Sequence, residues 1–350
     1  MRKERNSLRN FVIITLMVFC LGACASVSDS TDTSVETDSR DIQGNRIAVD
    51  ALQDIQETEN YNYFEQGDLR ITKLRNGVYG IDEWTTEHPA DGPTNNCSSM
   101  YLVLDEESDQ AILVDGGNGG TFVDSNDDMK IILDTLVKGM DFNVYLTHRH
   151  GDHTGLLTKS TVIGTDIPIY IHENDLIEIK NSDGSAYQII TFKEGDIIGT
   201  ENFRFNVVNI PGHSPGSCAL IDYEHEFIFS GDAIGSGSVW LFGSDDLITY
   251  DKGVNNLYNA IKDMKNPIMY SGHRWQQFIA DANTKGLAIG EIGKDYVEQI
   301  LTLLKEIKNG TSRINNEYPA SPNPAIYSAT NGIDTGIVAT QEAIDLYKGL

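Results

Sequence analysis

The segment Thr147-His148-Arg149-His150-Gly151-Asp152-His153-Thr154-Gly155 constrains this chain more than any other. The 350 residues contain only eight histidines, and three of them fall within six positions here, with an aspartate among them. His148 and His150 sit two apart at the end of a predicted strand, Phe142–Thr147, where alternate residues point the same way. Asp152 and His153 follow on a turn that Gly151 permits. Imidazole nitrogens and a carboxylate converging in one loop suit Zn2+ or another borderline first-row metal. The competing reading, a run of polar surface histidines, demands an unusual density in a chain so poor in histidine.

The flanking sequence sets that segment in an α+β pattern. Leu69–Leu74 and Gly77–Ile81 read as two strands joined by the turn around Asn76-Gly77. Met100–Leu104 and Ala111–Val114 read as a second hairpin, turning at Asp105–Asp109. Met129–Lys138 has helical spacing, with Ile131, Ile132, Leu133, Leu136 and Val137 apolar. A short helix is predicted from Thr154 to Leu157, and a strand over Ile167–Ile171. Gln188–Phe192, Phe203–Asn209, Ala219–Tyr223 and Glu226–Ser230 then form a β-rich stretch. Val254–Met264 reads as helix and Ile268–Ser271 as strand. The clearest helix is Glu291–Ile307, where Ile292, Tyr296, Val297, Ile300, Leu303, Leu304 and Ile307 recur on one face. Gly310 stands where a helix-ending glycine belongs. After Pro319, Pro322 and Pro324 a last helix is expected over Thr340–Lys348. The sequence has no internal repeat of solenoid length.

Read together with four further motifs, the histidine segment resembles the metallo-β-lactamase superfamily. The family's H-x-H-x-D-H signature stands here as His148, His150, Asp152 and His153. Ala111-Ile112-Leu113-Val114-Asp115-Gly116-Gly117 looks like its strand ending in an Asp-Gly turn. Pro211-Gly212-His213-Ser214-Pro215-Gly216-Ser217 is similar to the motif of the next histidine ligand. Phe229-Ser230-Gly231-Asp232-Ala233 is similar to the motif of the bridging aspartate, and Ser271-Gly272-His273 to that of the final histidine. The resemblance runs through most of residues 69–310. Five motifs in this order are specific where most of them singly are not.

The resemblance implies a four-layered αββα sandwich with metals at one edge between the sheets. Carried over position by position, it implies one metal held by His148, His150 and His213. A second would be held by Asp152, His153 and His273, with Asp232 bridging the pair. Two zinc ions per chain are expected, with iron or manganese also compatible. Such ions, about 3.5–4 Å apart, share a water and lower its pKa toward neutrality. The resulting hydroxide attacks a carbonyl or phosphoryl centre, and Asp152 is expected to guide the proton. Asp115 reads either as the group that orients a ligand imidazole through its other ring nitrogen or as a turn aspartate. His172 reads as a structural strand-end histidine, and His88 and His225 as loop residues.

True metallo-β-lactamases usually lack an aspartate at the position of Asp232 and place Cys or Ser nearby. Asp232 therefore favours the wider hydrolase group, acting on an ester, thioester, lactone or phosphodiester, with a lactam as the alternative. A second expectation is an iron-dependent oxidoreductase, because some members use the same signature with iron. A non-catalytic surface binding protein ranks last, since all seven expected ligands are present. The expected partner is a small-molecule substrate. Candidates for its pocket are Trp84, the 235–250 stretch with Trp240, Phe242 and Tyr250, and Arg274 with Trp275 after His273. Aromatic walls with few polar groups suit such a site, and any single one of these aromatics serves equally well as core. Arg149 either contacts an anionic group or faces solvent.

The N-terminus carries an address. Arg2, Lys3, Arg5 and Arg9 precede a run of thirteen mostly apolar or small residues, Phe11–Ala23. That run is short for a bilayer span and has a secretory layout. It ends in Leu21-Gly22-Ala23-Cys24, which resembles the bacterial lipobox, with Cys24 lipidated and becoming the mature N-terminus. We read residues 1–23 as signal peptide and 24–60 as the lipidated cysteine and a flexible acidic, Ser/Thr-rich linker. Residues 61–310 form the metallo-β-lactamase-like domain, and 311–350 a C-terminal extension packed on it. The expected location is the outer face of a bacterial membrane, held by the N-terminal lipid. Asp and Glu number 52 against 26 Lys and Arg, a net charge of −26, which becomes −29 once residues 1–23 are removed. Such a surface repels phosphate backbones, so no nucleic-acid partner is expected. Cys97 and Cys218 either pair in an oxidising exterior or are two buried small hydrophobes.

Overall fold

Alternating apolar residues and tight turns build the first half of the fold as a meander. In the computed structural model, β1 (Tyr63–Gln66), β2 (Leu69–Arg75), β3 (Val78–Glu83), β4 (Ser99–Asp105) and β5 (Gln110–Val114) pair antiparallel in sequence order. The chain then crosses through α1 (Asn126–Leu136), so that β6 (Asp141–Leu146) runs parallel to β5. β7 (Ile169–His172) and β8 (Ile189–Phe192) extend the same eight-stranded sheet in parallel. The structure describes residues 63–67, 69–83, 98–119, 126–276, 287, 290–316, 321–331 and 335–350. Cys24, the linker, Trp84, His88 and Cys97 lie outside these residues.

The second sheet has six strands. β9 (Ile197–Gly199), β10 (Arg204–Asn209), β11 (Cys218–Asp222) and β12 (Phe227–Gly231) pair antiparallel. The remaining two, β14 (Ile268–Ser271) and β15 (Glu291–Ile292), complete the order β15-β14-β12-β11-β10-β9. β14 lies parallel to β12. A third, four-stranded sheet joins β13 (Ser238–Leu241) to the C-terminal strands β16 (Arg313–Asn315), β17 (Ala325–Tyr327) and β18 (Gly336–Ala339), in the order β13-β18-β17-β16.

Three apolar clusters define the layers. Between the two large sheets lie Val78, Tyr101, Val103, Ile112 and Tyr145 from the first, against Phe205, Leu220, Phe227, Phe229 and Tyr270 from the second. The outer face of the first sheet is covered by α1 and the short α2 (Gly155–Thr158), through Met129, Ile132, Leu156 and Leu157. The outer face of the second is covered by α3 (Asp246–Ile261), α4 (Lys294–Asn309), α5 (Gln341–Lys348) and the third sheet. This is the α+β four-layered sandwich. Each Leu, Ile or Phe buried in these layers contributes about 1.5–3 kcal/mol. Among the described residues no helix is long and apolar enough to cross a membrane.

Some elements differ from the sequence pattern. Glu291 and Ile292 are not helix: they pair antiparallel with β14, and the helix begins at Lys294 after Gly293. Apolar spacing alone could not separate a two-residue strand from the turn that follows it. The helix still buries Tyr296, Val297, Ile300, Leu303, Leu304 and Ile307, and Gly310 closes it. α3 begins at Asp246, eight residues before the predicted start at Val254. Gly253 lies inside the helix at a close approach, where a Cβ would come within 2.7 Å of the Ile210 Cα. Ser238–Leu241, expected as pocket loop, is strand β13.

Candidate metal centre

The site residues follow the C-terminal ends of parallel strand pairs. β5 leads into Asp115 and β6 into His148, while β12 leads into Asp232 and β14 into His273. His213 comes from the loop between β10 and β11. A register shift between Phe229 and Gly231 re-aims the chain just before Asp232. Gly272 is required by a close approach: a Cβ there would meet Asp232 Oδ1 at 2.2 Å and His153 Cε1 at 2.6 Å.

Asp115 organises the first loop. Its backbone takes a φ of 62°, uncommon for a residue with a side chain. Its carboxylate is buried and accepts from Thr147 N at 2.8 Å and from Thr147 Oγ1 at 2.8 Å. The same carboxylate lies 3.1 Å from His153 Nδ1. Because the Thr147 hydroxyl donates to Asp115, it accepts from His148 Nδ1, 3.1 Å away. One carboxylate thus fixes two imidazoles, His153 directly and His148 through Thr147. Both then present Nε2 to the interior of the site. His213 is fixed in the same sense, its Nδ1 donating to the Trp240 carbonyl at 2.8 Å. His148 Nε2 is buried with no hydrogen-bond partner among the described residues, the state expected of a metal-ligating atom.

Ser99 brackets His273. Its N–H donates to the Gly272 carbonyl at 2.7 Å, and its hydroxyl accepts from Arg274 N at 3.2 Å. Ser236 Oγ accepts from His273 N at 3.1 Å and donates to Asp232 Oδ1 at 3.1 Å.

The seven side chains fall into two groups, each able to hold a metal ion. His148, His150 and His213 form one; Asp152, His153, Asp232 and His273 form the other, with ligand atoms within 4.8 Å of one another in each. Burial, with the imidazoles of His153 and His213, pushes His148 well below its ordinary value. Burial and His213 push His150 down to about 4. His213 is lowered as well, burial outweighing the pull of Asp232. This first group is neutral near pH 7, the ligating form of imidazole. In the second group burial acts the same way but the carboxylates prevail. Asp232 and Asp115 hold His153 well above its ordinary value, and Asp232 with Asp152 holds His273 up to about 10. Burial would raise both carboxyls, yet His273 and His153 keep Asp152 and Asp232 well below the usual range.

Not every candidate from the sequence reaches this site. Arg274 is a correction: it is fully buried and turned away, its Nε 2.9 Å from each oxygen of Asp82 and a second nitrogen 2.9 Å from Thr72 Oγ1. Tyr250 is a second correction. It is fully buried in the core between the second sheet and its helices, its hydroxyl donating to the Ala233 carbonyl at 2.7 Å. Trp240 contributes its backbone carbonyl to His213, while its half-buried ring lies 6.4 Å from that of Phe242. Phe242 is an exposed aromatic at the site, 5.9 Å from the His150 ring and 5.7 Å from the His213 ring. Cys218 carries a buried free thiol, 3.4 Å from the Thr147 carbonyl. His172 caps a turn, its Nδ1 accepting from Asn174 N at 3.2 Å. Nothing in the sequence singles out Asp82, Ser99 or Asp175, because a carboxylate or hydroxyl buried by distant strands looks in sequence like any surface one.

The family profile described as Metallo-beta-lactamase superfamily matches residues 93–273, just over half of the chain. The chain belongs to the metallo-β-lactamase superfamily. All seven residues of the two groups fall inside the matched span. Among similar superfamily proteins, a hydroxyacylglutathione hydrolase of Bdellovibrio bacteriovorus is 27% identical over 190 residues, covering 54% of this chain and 68% of the relative. A probable metallo-hydrolase of Bacillus subtilis is 31% identical over 164 residues, covering 43% and 71%. A solved metallo-beta-lactamase structure from Pontibacter korlensis superposes with a TM-score of 0.50 at 16% identity, covering 68% of this chain and 99% of that one. It shares the superfamily fold.

Proposed function

We propose that the chain is a metal-dependent hydrolase with a binuclear zinc centre, acting on an ester or thioester. The observation that carries this reading is Asp232. Its carboxylate lies 3.4 Å from His153 Nε2, 3.2 Å from His273 Nε2 and 3.5 Å from His213 Nε2. One buried group therefore touches both ligand sets. His148, His150 and His213 would hold one ion, and Asp152, His153 and His273 the other, with Asp232 shared. An all-nitrogen set beside a mixed nitrogen and carboxylate set suits zinc. When bound, such ions supply an acidified water as nucleophile and a Lewis acid for the substrate oxygen.

The chain's own groups do the rest. Asp115 and the Trp240 carbonyl hold the imidazoles in one tautomer and one orientation. Asp152 is the more accessible of the two site carboxylates, with 21% of its side chain exposed against 10% for Asp232. Its oxygen lies 3.4 Å from His273 Nε2, and as the more exposed carboxylate it is the one that would accept a hydrogen bond from the attacking water and orient it. Phe242 offers an apolar face beside His150 and His213, which suits the acyl part of a substrate. The thioester preference is supported by the similarity to the Bdellovibrio hydroxyacylglutathione hydrolase. The lipobox-like Leu21-Gly22-Ala23-Cys24 supports anchoring at the outer face of a bacterial membrane.

The test is metal content and turnover on one preparation of the full chain, purified without chelator. The panel holds a thioester, a carboxylic ester or lactone, a phosphodiester and a β-lactam. Two zinc ions per chain with preferential thioester or ester turnover is the expected result. Iron without hydrolysis would move the chain to redox chemistry. Turnover of the β-lactam alone would make it a lactamase, and no bound metal would overturn the ligand assignment.

A further inference from the structure

Both loops that carry the three-histidine group meet on one carboxylate. Asp175 ends the 3-10 turn Glu173–Asp175, which follows β7 and is capped by His172. Its side chain is fully buried. Oδ2 accepts from the backbone N–H of Arg149, between His148 and His150, at 3.0 Å. The same oxygen accepts from the hydroxyl of Ser214, next to His213, at 2.5 Å. Oδ1 accepts from Gly216 N at 2.8 Å, and the Arg149 Nε stands 3.8 Å from it. A buried carboxylate is costly unless its lone pairs are met; here three donors and a guanidinium meet them. The close approach is itself encoded, because a Cβ at position 216 would lie 2.6 Å from the Asp175 Cβ.

We propose that Asp175 is the positioning residue of the three-histidine site, setting the separation of the 148–150 segment from the His213 loop so that three imidazoles converge on one ion. This rests on the binuclear reading above. Asp175 touches no ligand imidazole and acts through the backbone on either side of them. Another bond joins the same loops at their base, from Cys218 N to the Thr147 carbonyl at 3.1 Å, and it does not involve Asp175. Without the carboxylate the loops therefore stay attached but lose their spacing near the ligands. The imidazoles of the second group have supports that do not involve Asp175, Asp115 at His153 and Ser99 and Ser236 at the His273 backbone. Losing Asp175 must then separate the two sites in affinity, which a general loss of stability would not do.

The experiment is zinc titration of the full chain against a chromophoric chelator, with the visible absorption of the cobalt-substituted protein as a second readout. Wild type is expected to bind two ions. Asp175→Ala and Asp175→Asn are each expected to weaken one site by about 10–100-fold and leave the other unchanged. The cobalt spectrum should change only in the bands of the weakened site. Asp105→Ala is the control: Asp105 is a buried carboxylate holding Asn202 N at 3.0 Å and Asn202 Nδ2 at 2.9 Å, with no link to the histidine loops. It should leave both affinities unchanged. Should Asp175→Ala fail to fold, Ser214→Ala removes one donor and is expected to give a smaller loss at the same site. Equal loss at both sites, no loss at either, or the same loss in Asp105→Ala would overturn the role of Asp175 alone. A wild type binding fewer than two ions would overturn the binuclear reading, and this proposal with it.

Discussion

Arg274 and Asp82 form a buried ion pair that joins the two large sheets immediately behind His273. Neither side chain has appreciable solvent contact, and the Arg274 Nε lies 2.9 Å from both Asp82 oxygens. Ser99 Oγ completes the carboxylate's shell, donating to Oδ1 at 2.6 Å. Asp82 and Ser99 belong to the first sheet, while Arg274 follows a strand of the second. Arg274→Met would strand a buried carboxylate and is expected to cost about 3–5 kcal/mol. The double variant Asp82→Leu/Arg274→Met should recover much of that. Urea unfolding of the three proteins checks it; a double variant no more stable than the single would show that the pair itself holds the sheets together.

Phe242 faces solvent beside two of the site imidazoles, and its burial adds little to the fold. Phe242→Ala should change stability by no more than about 0.5 kcal/mol. Its KM for an apolar acyl substrate should rise several-fold with kcat held, since the ring contributes binding without touching the reacting atoms. Steady-state kinetics on acyl chains of increasing length would read this out. An unchanged KM across the series would remove Phe242 from the substrate site.

Glu306, in the last turn of α4, ties that helix to the segment before β18. It accepts from Ala329 N and from Thr330 Oγ1, both at 2.7 Å. Burial alone would raise the carboxyl, but the bonds from Thr330 and Ala329 hold it below its ordinary 4.5. A group lowered in the folded state adds stability above its unfolded value and loses it as pH falls through the lowered one. The stability difference between wild type and Glu306→Gln should therefore be about 1–2 kcal/mol at neutral pH and shrink as the medium is acidified below 4.5. Urea midpoints for both proteins across that range would test it, and a constant difference would contradict the assignment.

Cys24 is the residue on which the proposed anchor depends. A cell growing on labelled palmitate should transfer label to the wild-type chain and none to Cys24→Ser, and the variant should leave the membrane fraction. Label retained in Cys24→Ser would place any lipid elsewhere.

Legibility followed the range of the interactions. The H-x-H-x-D-H segment, the β5 turn at Asp115 and the Gly-Asp-Ala and Gly-His motifs are local, and their residues lie together in the folded chain. What escaped the sequence was decided by distant strands. Asp82 and Asp175 are buried by partners 192 and 41 positions away, Arg274 and Gly216. Arg274 looked like a pocket residue because it follows a ligand motif, yet the pull of Asp82 turns it inward. Glu291 and Ile292 carried helical spacing and became strand because β14 offered them an edge. The C-terminal strands are three or four residues long and punctuated by proline, too short for alternation to register.

The carbonyl that orients His213 belongs to Trp240, and Trp240 lies opposite Val338 in the parallel pairing of β13 with β18. The strand holding an interior histidine in its ligating tautomer is thus paired with a strand that the ribosome adds well after it. A chain emerging from its N-terminus would have six of the seven site residues translated before Asp246 begins α3, and still lack the strand that finishes the seat of His213. The seat of His213 would therefore be complete only after β18 has been translated and paired with β13.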